Sequence, residues 1–232
     1  MSVFDVLKKW NITRYKTLKA EDIEAINLGS SILATGGGGD PEIGFLFAKR
    51  VMEMGKDFVM VDPMDVPDEA LGACPGCLGA PVVLTEKPLS EEVLIDATKS
   101  LEKYLGKPLD FCIPVECGGI NSILAYVVAA LLEIPVVDTD GMNRAFPELQ
   151  MTSFSTHGVS ATPLASGDNG GIVTIIDAKG DDLLAEDIAR KTAMAYGGIS
   201  WITTYPMNGK QLKESGVLNS QTIAWEIGKA VL

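Results

Sequence analysis

Two carboxylates, Asp138 and Asp140, stand at the end of a short apolar run and open into Gly141, with Arg144 and Glu148 close behind. If residues 134–139 form a buried strand, side-chain alternation puts both aspartates on one side of its end. Taking two like charges out of water together is costly unless a cation, a proton or an arginine offsets them. Folding does not require such a pair, whereas polar chemistry does. Glu116 closes another apolar run, Leu109 to Glu116, and is a third acid in an equivalent position. Open α/β sheets collect their functional groups at the carboxyl ends of strands. Glu116, Asp138 and Asp140 are therefore the candidate catalytic residues, one of them a general base. The bland alternative for the aspartates is an Asp-x-Asp-Gly turn that only caps backbone.

The elements that must position these acids alternate along the chain. Helical spacing covers Glu21 to Ala34, and a second helix runs from Pro41 to about Met54, with Asp40 as its N-cap and Gly55 as its stop. Phe58 to Val61 and Pro81 to Thr85 read as strands, and Ser90 to Leu105 as an amphipathic helix capped by Ser90. The strand at 109–116, a helix over 121–133 and the strand at 134–139 form a parallel crossover unit in outline. Further on come a strand at 171–176, a helix at 182–196, a strand at 200–204 and helices over 208–215 and 219–231. The expected fold is one α/β domain over residues 1–232, a layered sheet with parallel crossover units flanked by helices. The last helix runs to Leu232 without a stop signal, which predicts a truncated or split protein, or an end buried against a partner.

Four consecutive glycines, Gly36 to Gly39, precede Asp40 and Pro41. Bare amides at a helix start attract anions. Here the preceding element has helical spacing, no G-x-G-x-x-G register fits, and Asp40 would repel a phosphate, so no nucleotide is expected. Two readings stay open. One is a helix-to-helix turn that needs positive φ. The other has the amides of Gly38 and Gly39 lining a small polar site, with Asp40 capping the helix or facing substrate.

Cys74 and Cys77 have CxxC spacing, which suits a redox dithiol or half a zinc site, but the pair sits in a stretch that reads as a loop before a strand. Small residues in a turn, with reduced thiols, is the preferred reading. The lone His157 lies in a polar loop and serves either as an acid/base or as loop structure. Asp40, Glu116, Asp138, Asp140 and Glu148 offer oxygen ligands that would suit a divalent ion of the magnesium or manganese type.

Composition narrows the partners. The chain has 232 residues, 47% of them hydrophobic, and a net charge of −12 without a dense Lys/Arg patch. Neither nucleic acid nor a membrane surface is expected as a partner. No apolar segment reaches spanning length and the first residues lack a signal-peptide core, so a cytoplasmic location is expected.

Five segments carry a resemblance. They are Leu33 to Pro41, residues 79–87 (Gly-Ala-Pro-Val-Val-Leu-Thr-Glu-Lys), Glu116 to Asn121, Pro135 to Met151, and Tyr205 to Gly209. In order and spacing, from about residue 20 onward, they resemble the S-methyl-thiohydantoin desulfurase family. The stretch through Asp138, Asp140, Arg144, Pro147 and Glu148 is the most specific of them. Cys117 and Asn143 stand where that family has a small residue, commonly Gly. The resemblance implies action on a five-membered hydantoin or thiohydantoin ring, with hydrolytic loss of a sulfur substituent. It also implies a β-rich C-terminal domain that this chain is expected to lack.

In that reaction Asn121 would donate to a ring carbonyl, or would merely cap a helix. Arg144 would hold an acidic substituent of the substrate by a bidentate contact, or pair with Asp140 or Glu148. Gly38, Gly39, Asp40, Asn121, Arg144 and Glu148 make up the candidate substrate-binding set. The alternative to a hydrolase is a non-catalytic or split subunit that needs a partner chain to supply the missing domain. A homo-oligomer is also expected. A nucleotide enzyme built on the glycine loop ranks last.

Overall fold

The computed structural model of the chain describes residues 2–86 and 91–232. Its strands are β1 (Tyr15–Leu18), β2 (Phe58–Val61), β3 (Leu71–Gly79), β4 (Phe111–Cys112), β5 (Val136–Val137), β6 (Thr139–Asp140), β7 (Leu164–Gly167), β8 (Val173–Ile176), β9 (Ile199–Asn208) and β10 (Val217–Leu218). Its α-helices are α1 (Val3–Lys9), α2 (Ala20–Ala34), α3 (Pro41–Glu53), α4 (Glu91–Leu105), α5 (Gly119–Leu132), α6 (Ser153–Thr156), α7 (Asp182–Ala195), α8 (Gly209–Ser215) and α9 (Ser220–Val231).

Eight strands form one sheet in the order β1-β2-β5-β4-β3-β9-β7-β8, and β10 pairs with β6 outside it. The four strands β2, β5, β4 and β3 run parallel. Antiparallel β1 lies on one edge of that group, and antiparallel β9, β7 and β8 extend the other. Each face of the sheet carries its own apolar core. Residues of α2, α3, α4 and α5 build one, while α1, α6, α7 and α8 build the other. Strands covered on both faces read as uninterrupted apolar runs. In β2, for example, Phe58 and Met60 enter the first core and Val59 and Val61 the second. The β4–α5–β5 crossover predicted from sequence is present, and α5 is buried almost throughout.

Four expectations about local structure change. Residues 81–85 are a 3-10 helix, and the strand is β3, which contains both cysteines of the CxxC pair. Cys74 lies opposite Thr204 and Cys77 opposite Trp201 in the β9 ladder. Extended residues three apart are about 10 Å apart and face opposite sides. Cys74 accordingly joins one core and Cys77 packs against the other, so they form neither a dithiol nor half a metal site. The strand expected over 109–116 is ladder-paired only at Phe111 and Cys112. The strand expected over 134–139 breaks at Asp138, beyond which residues 139–140 pair with β10 instead. Ser90, the expected cap of α4, lies outside the described residues.

β3 escaped recognition because it contains Pro75 and three glycines, which argue against an interior strand. Its two sides differ. β9 pairs with it along nearly its whole length, but β4 pairs only at Gly72 and Ala73. Beyond that point the β3 edge is open, and Cys77 gives its N–H to the side chain of Asn121 at 2.8 Å. Pro75, two residues earlier, faces the same open edge, where no strand needs its missing N–H. The parallel strands β3 and β4 thus diverge at their carboxyl ends and leave a crevice.

Among the described residues, no helix is long and apolar enough to cross a membrane.

Candidate active site

The crevice is a cavity of about 260 Å³. Its walls come from the end of β3 (Cys77 to Gly79), from Val115, Glu116 and Asn121, from Gly38 and Gly39, from residues 146–149, and from Glu186 and Arg190 of α7. Glu116 is 3% exposed. One carboxylate oxygen accepts from Asn121 Nδ2 at 2.7 Å and the other from the Phe146 N–H at 3.0 Å. Burial pushes its carboxyl up to about 7, against the opposing pull of the two hydrogen bonds, and the charge of Asp140 adds to the rise. A carboxyl poised near neutrality in a cleft can take up and release a proton at working pH.

Asn121 is neither a free donor nor a helix cap. Its Oδ1 accepts from the Cys77 N–H, and its Nδ2 reaches both Glu116 and the Cys77 carbonyl, the latter at 3.3 Å. It fills the gap between the diverging strands and orients the acid. The glycine loop lies beside it for steric reasons. Gly38 has φ +79°, and a Cβ there would lie 2.4 Å from the Gly118 carbonyl group. Gly119, with φ +43°, would clash in turn with Gly39 O at 2.2 Å. Two backbone turns therefore press directly on each other, and this contact holds Gly38 and Gly39 at the cavity wall.

The predicted acids do not converge. Asp140 is fully buried; it accepts from the Cys117 N–H at 2.5 Å and from the Asn143 N–H at 2.8 Å, and burial pushes its carboxyl up to about 7. It pins the turns behind Glu116 and does not line the cavity. Asp138 points elsewhere, accepting from the N–H (2.9 Å) and the hydroxyl of Thr222 in the first turn of α9. It acts as a tertiary N-cap, because the break after β5 turns the two aspartates to different neighbours.

Asp40 accepts from the Glu42 N–H at 2.9 Å and caps α3, away from the cavity lining. Arg144 is exposed in a non-helical turn and, among the described residues, has no ion pair with Asp140 or Glu148. Glu148 does line the cavity, at its exposed rim. His157 is exposed at the end of α6, with Nδ1 2.8 Å from the Ser153 carbonyl. Among the described residues, no three His, Cys, Asp or Glu side chains are grouped to hold a metal ion: Asp40, Glu116, Asp138 and Asp140 accept from separate backbone donors, and Glu148 accepts from the side chain of Gln150.

Sequence reasoning missed Glu186 and Arg190. Arg190 bonds Glu186 Oε1 through Nε at 2.8 Å and the Pro147 carbonyl through Nη2 at 2.8 Å, and Glu186 Oε2 accepts from the Leu149 N–H at 3.1 Å. The available signal was their i,i+4 spacing on a predicted helix. It says that the two can pair, and leaves open what they face.

Sheet and crevice together define an α/β protein with an acid-lined cavity at the open ends of its parallel strands. The chain belongs to the S-Me-THD-like family: residues 21–178 match the family's N-terminal domain and residues 180–232 its C-terminal domain. The expectation that the C-terminal domain is lacking is therefore wrong. Its matched residues read as α/β because their longer strand, β9, is hydrogen-bonded between β3 and β7 in the main sheet, while the short β10 pairs with β6. A crystal structure of a protein from Chromobacterium violaceum has a similar fold, with a TM-score of 0.77 and 22% identity, covering 93% of this chain and 61% of that one. The chain thus spans about three fifths of that protein's length. No curated protein matches it.

Proposed function

We propose that the cavity is the site of a hydrolase acting on a five-membered hydantoin or thiohydantoin ring, with Glu116 as the proton-transfer group. Family membership supports the substrate class. The observation that carries the chemistry is a buried carboxyl poised near 7 on the wall of a small cleft. A volume of about 260 Å³ is close to the small end of ligand pockets, roughly 300 Å³, and fits a single ring.

For a ring carbon double-bonded to nitrogen and carrying an S-alkyl group, water oxygen bonds to that carbon and the C=N electrons move to nitrogen. Glu116 takes a proton from the attacking water and gives it to the ring nitrogen. It then takes the remaining hydroxyl proton as C=O forms and the C–S bond breaks, and returns it to the departing thiolate. Both water protons end on products, a ring amide and a free thiol, and the carboxylate is regenerated.

The test is thiol release from S-methyl-thiohydantoins by the wild-type chain and by Glu116→Gln. Loss of general acid/base catalysis lowers the rate by about 10²–10⁴. Wild-type turnover in a folded Glu116→Gln variant would rule the reading out. A second reading, a binding module that works with a partner chain, is favoured by Glu116 already accepting two internal hydrogen bonds. Under that reading the variant keeps ligand-induced thermal stabilisation and the wild type releases no thiol.

A further inference from the structure

Residues 146–149 form a strap across the cavity, held at both ends by different parts of the chain. At its first residue, the Phe146 N–H donates to Glu116 at 3.0 Å. One and three residues later, α7 grips it twice. The Pro147 carbonyl accepts from Arg190 at 2.8 Å, and the Leu149 N–H donates to Glu186 at 3.1 Å. Arg190 and Glu186 also hold each other, with Nε to Oε1 at 2.8 Å, so the grip is a single preorganised unit. The Leu149 carbonyl accepts from the buried hydroxyl of Tyr205 on β9. Every one of these braces lies in residues 180–232, whereas Glu116 and the strap lie in residues 21–178. The cavity is completed across the boundary between the family's two domains.

We propose that Glu186 and Arg190 are positioning residues of the Glu116 site, holding the 146–149 strap so that the Phe146 N–H stays on the Glu116 carboxylate. The functional weight of this inference rests on the reading of Glu116 given above, but the geometry does not. A donor fixed on a carboxylate favours its charged form. The strap therefore limits how far burial drives Glu116 towards the neutral acid, and keeps it able to accept a proton near neutrality.

The ionisable groups facing Glu116 are Cys77 from β3, Asp140 from β6, Glu148 from the strap, and Glu186 with Arg190 from α7. This set allows a test in which strap and charge act with opposite signs. Glu186→Ala removes a negative charge from the lining of the same cavity, and electrostatics alone would lower the Glu116 pKa, if it moved it at all. Freeing the strap removes a hydrogen bond to the carboxylate, and the pKa rises by about one unit. Arg190→Lys keeps the charge but loses the fork that reaches Glu186 and Pro147 together, so its effect comes from the strap alone.

The experiment is a ¹³C-carboxyl NMR titration of the full chain, with the Glu116 resonance assigned through Glu116→Gln and Phe146 amide exchange followed alongside. The expected result is an upward shift in both variants, with faster Phe146 exchange. A downward or unchanged Glu116 titration in Glu186→Ala, or an unchanged one in Arg190→Lys, overturns the proposal. If Glu186→Ala does not fold, the charge-conserving Arg190→Lys decides alone. Because the readout is not turnover, a chain that releases no thiol would sink the hydrolase reading and leave this inference standing, and the reverse also holds.

Discussion

Asn121 donates to Glu116 at 2.7 Å while the same amide takes the N–H of Cys77 at 2.8 Å, so one side chain both closes the gap between two diverging strands and aims the acid. Replacing it by Ala strands the Cys77 peptide groups and removes a donor from a buried carboxylate. We expect Asn121→Ala to lower stability by about 2 kcal/mol in urea unfolding. The Glu116 titration should move upward, since the lost bond favours the charged form. An unchanged titration would show that the amide does not orient the acid.

Asp138 and Asp140 look alike in sequence but hold different structures. Asp138→Ala removes a cap from the first turn of α9 and should cost about 1 kcal/mol. Asp140→Ala leaves the buried Cys117 N–H and the half-buried Asn143 N–H without their acceptor and should cost about 2 kcal/mol or more. Denaturation curves returning the opposite order would contradict the assignment of roles.

Stability should fall as pH rises towards 8. Glu116 and Asp140 titrate at about 7 in the folded chain but near 4.5 and 3.8 when unfolded. Between those values the folded state holds protons that the unfolded state has released, so unfolding becomes easier with rising pH until both are ionised. Carboxylates held low, such as Asp68 beside Lys213, act with the opposite sign and only as pH falls below the usual carboxylate range. The interval from about pH 5 to 8 thus belongs to the buried pair. Calorimetry should give a Tm several degrees higher at pH 5.5 than at pH 8, with each kcal/mol worth roughly 2–4 °C in a chain of this size. Glu116→Gln should flatten part of that slope.

Two glycines in one loop should respond differently to Ala. Gly36 has φ +95° with open space around it, so Gly36→Ala costs only the strained backbone, about 1 kcal/mol. Gly38→Ala adds a collision with the Gly118 peptide and should cost about 1–3 kcal/mol more. Equal losses in chemical denaturation would mean that the two turns are not in rigid contact.

Much of the framework was legible in the residues. The β4–α5–β5 crossover, α7, α8, α9 and the Asp40 cap of α3 follow from periodicity and local capping chemistry, which act over a few neighbouring positions. Glu116 was recognisable as a candidate because it closes an apolar run, a signal it shares with Asp138, which turns to α9 instead. β3 was not legible. Its Pro75 and glycines are tolerated only because β4 leaves its side, a fact about another strand. The same holds for Asp138, whose direction depends on where α9 begins, and for Arg190, whose second partner is a carbonyl 43 positions away. The sequence alone determined most of the helices, the crossover unit around α5 and the presence of an acid at the end of an apolar run. Tertiary structure alone decided which donors reach that acid, because a carboxyl's hydrogen bonds and desolvation depend on groups brought near it by packing, and spacing along the chain does not record them.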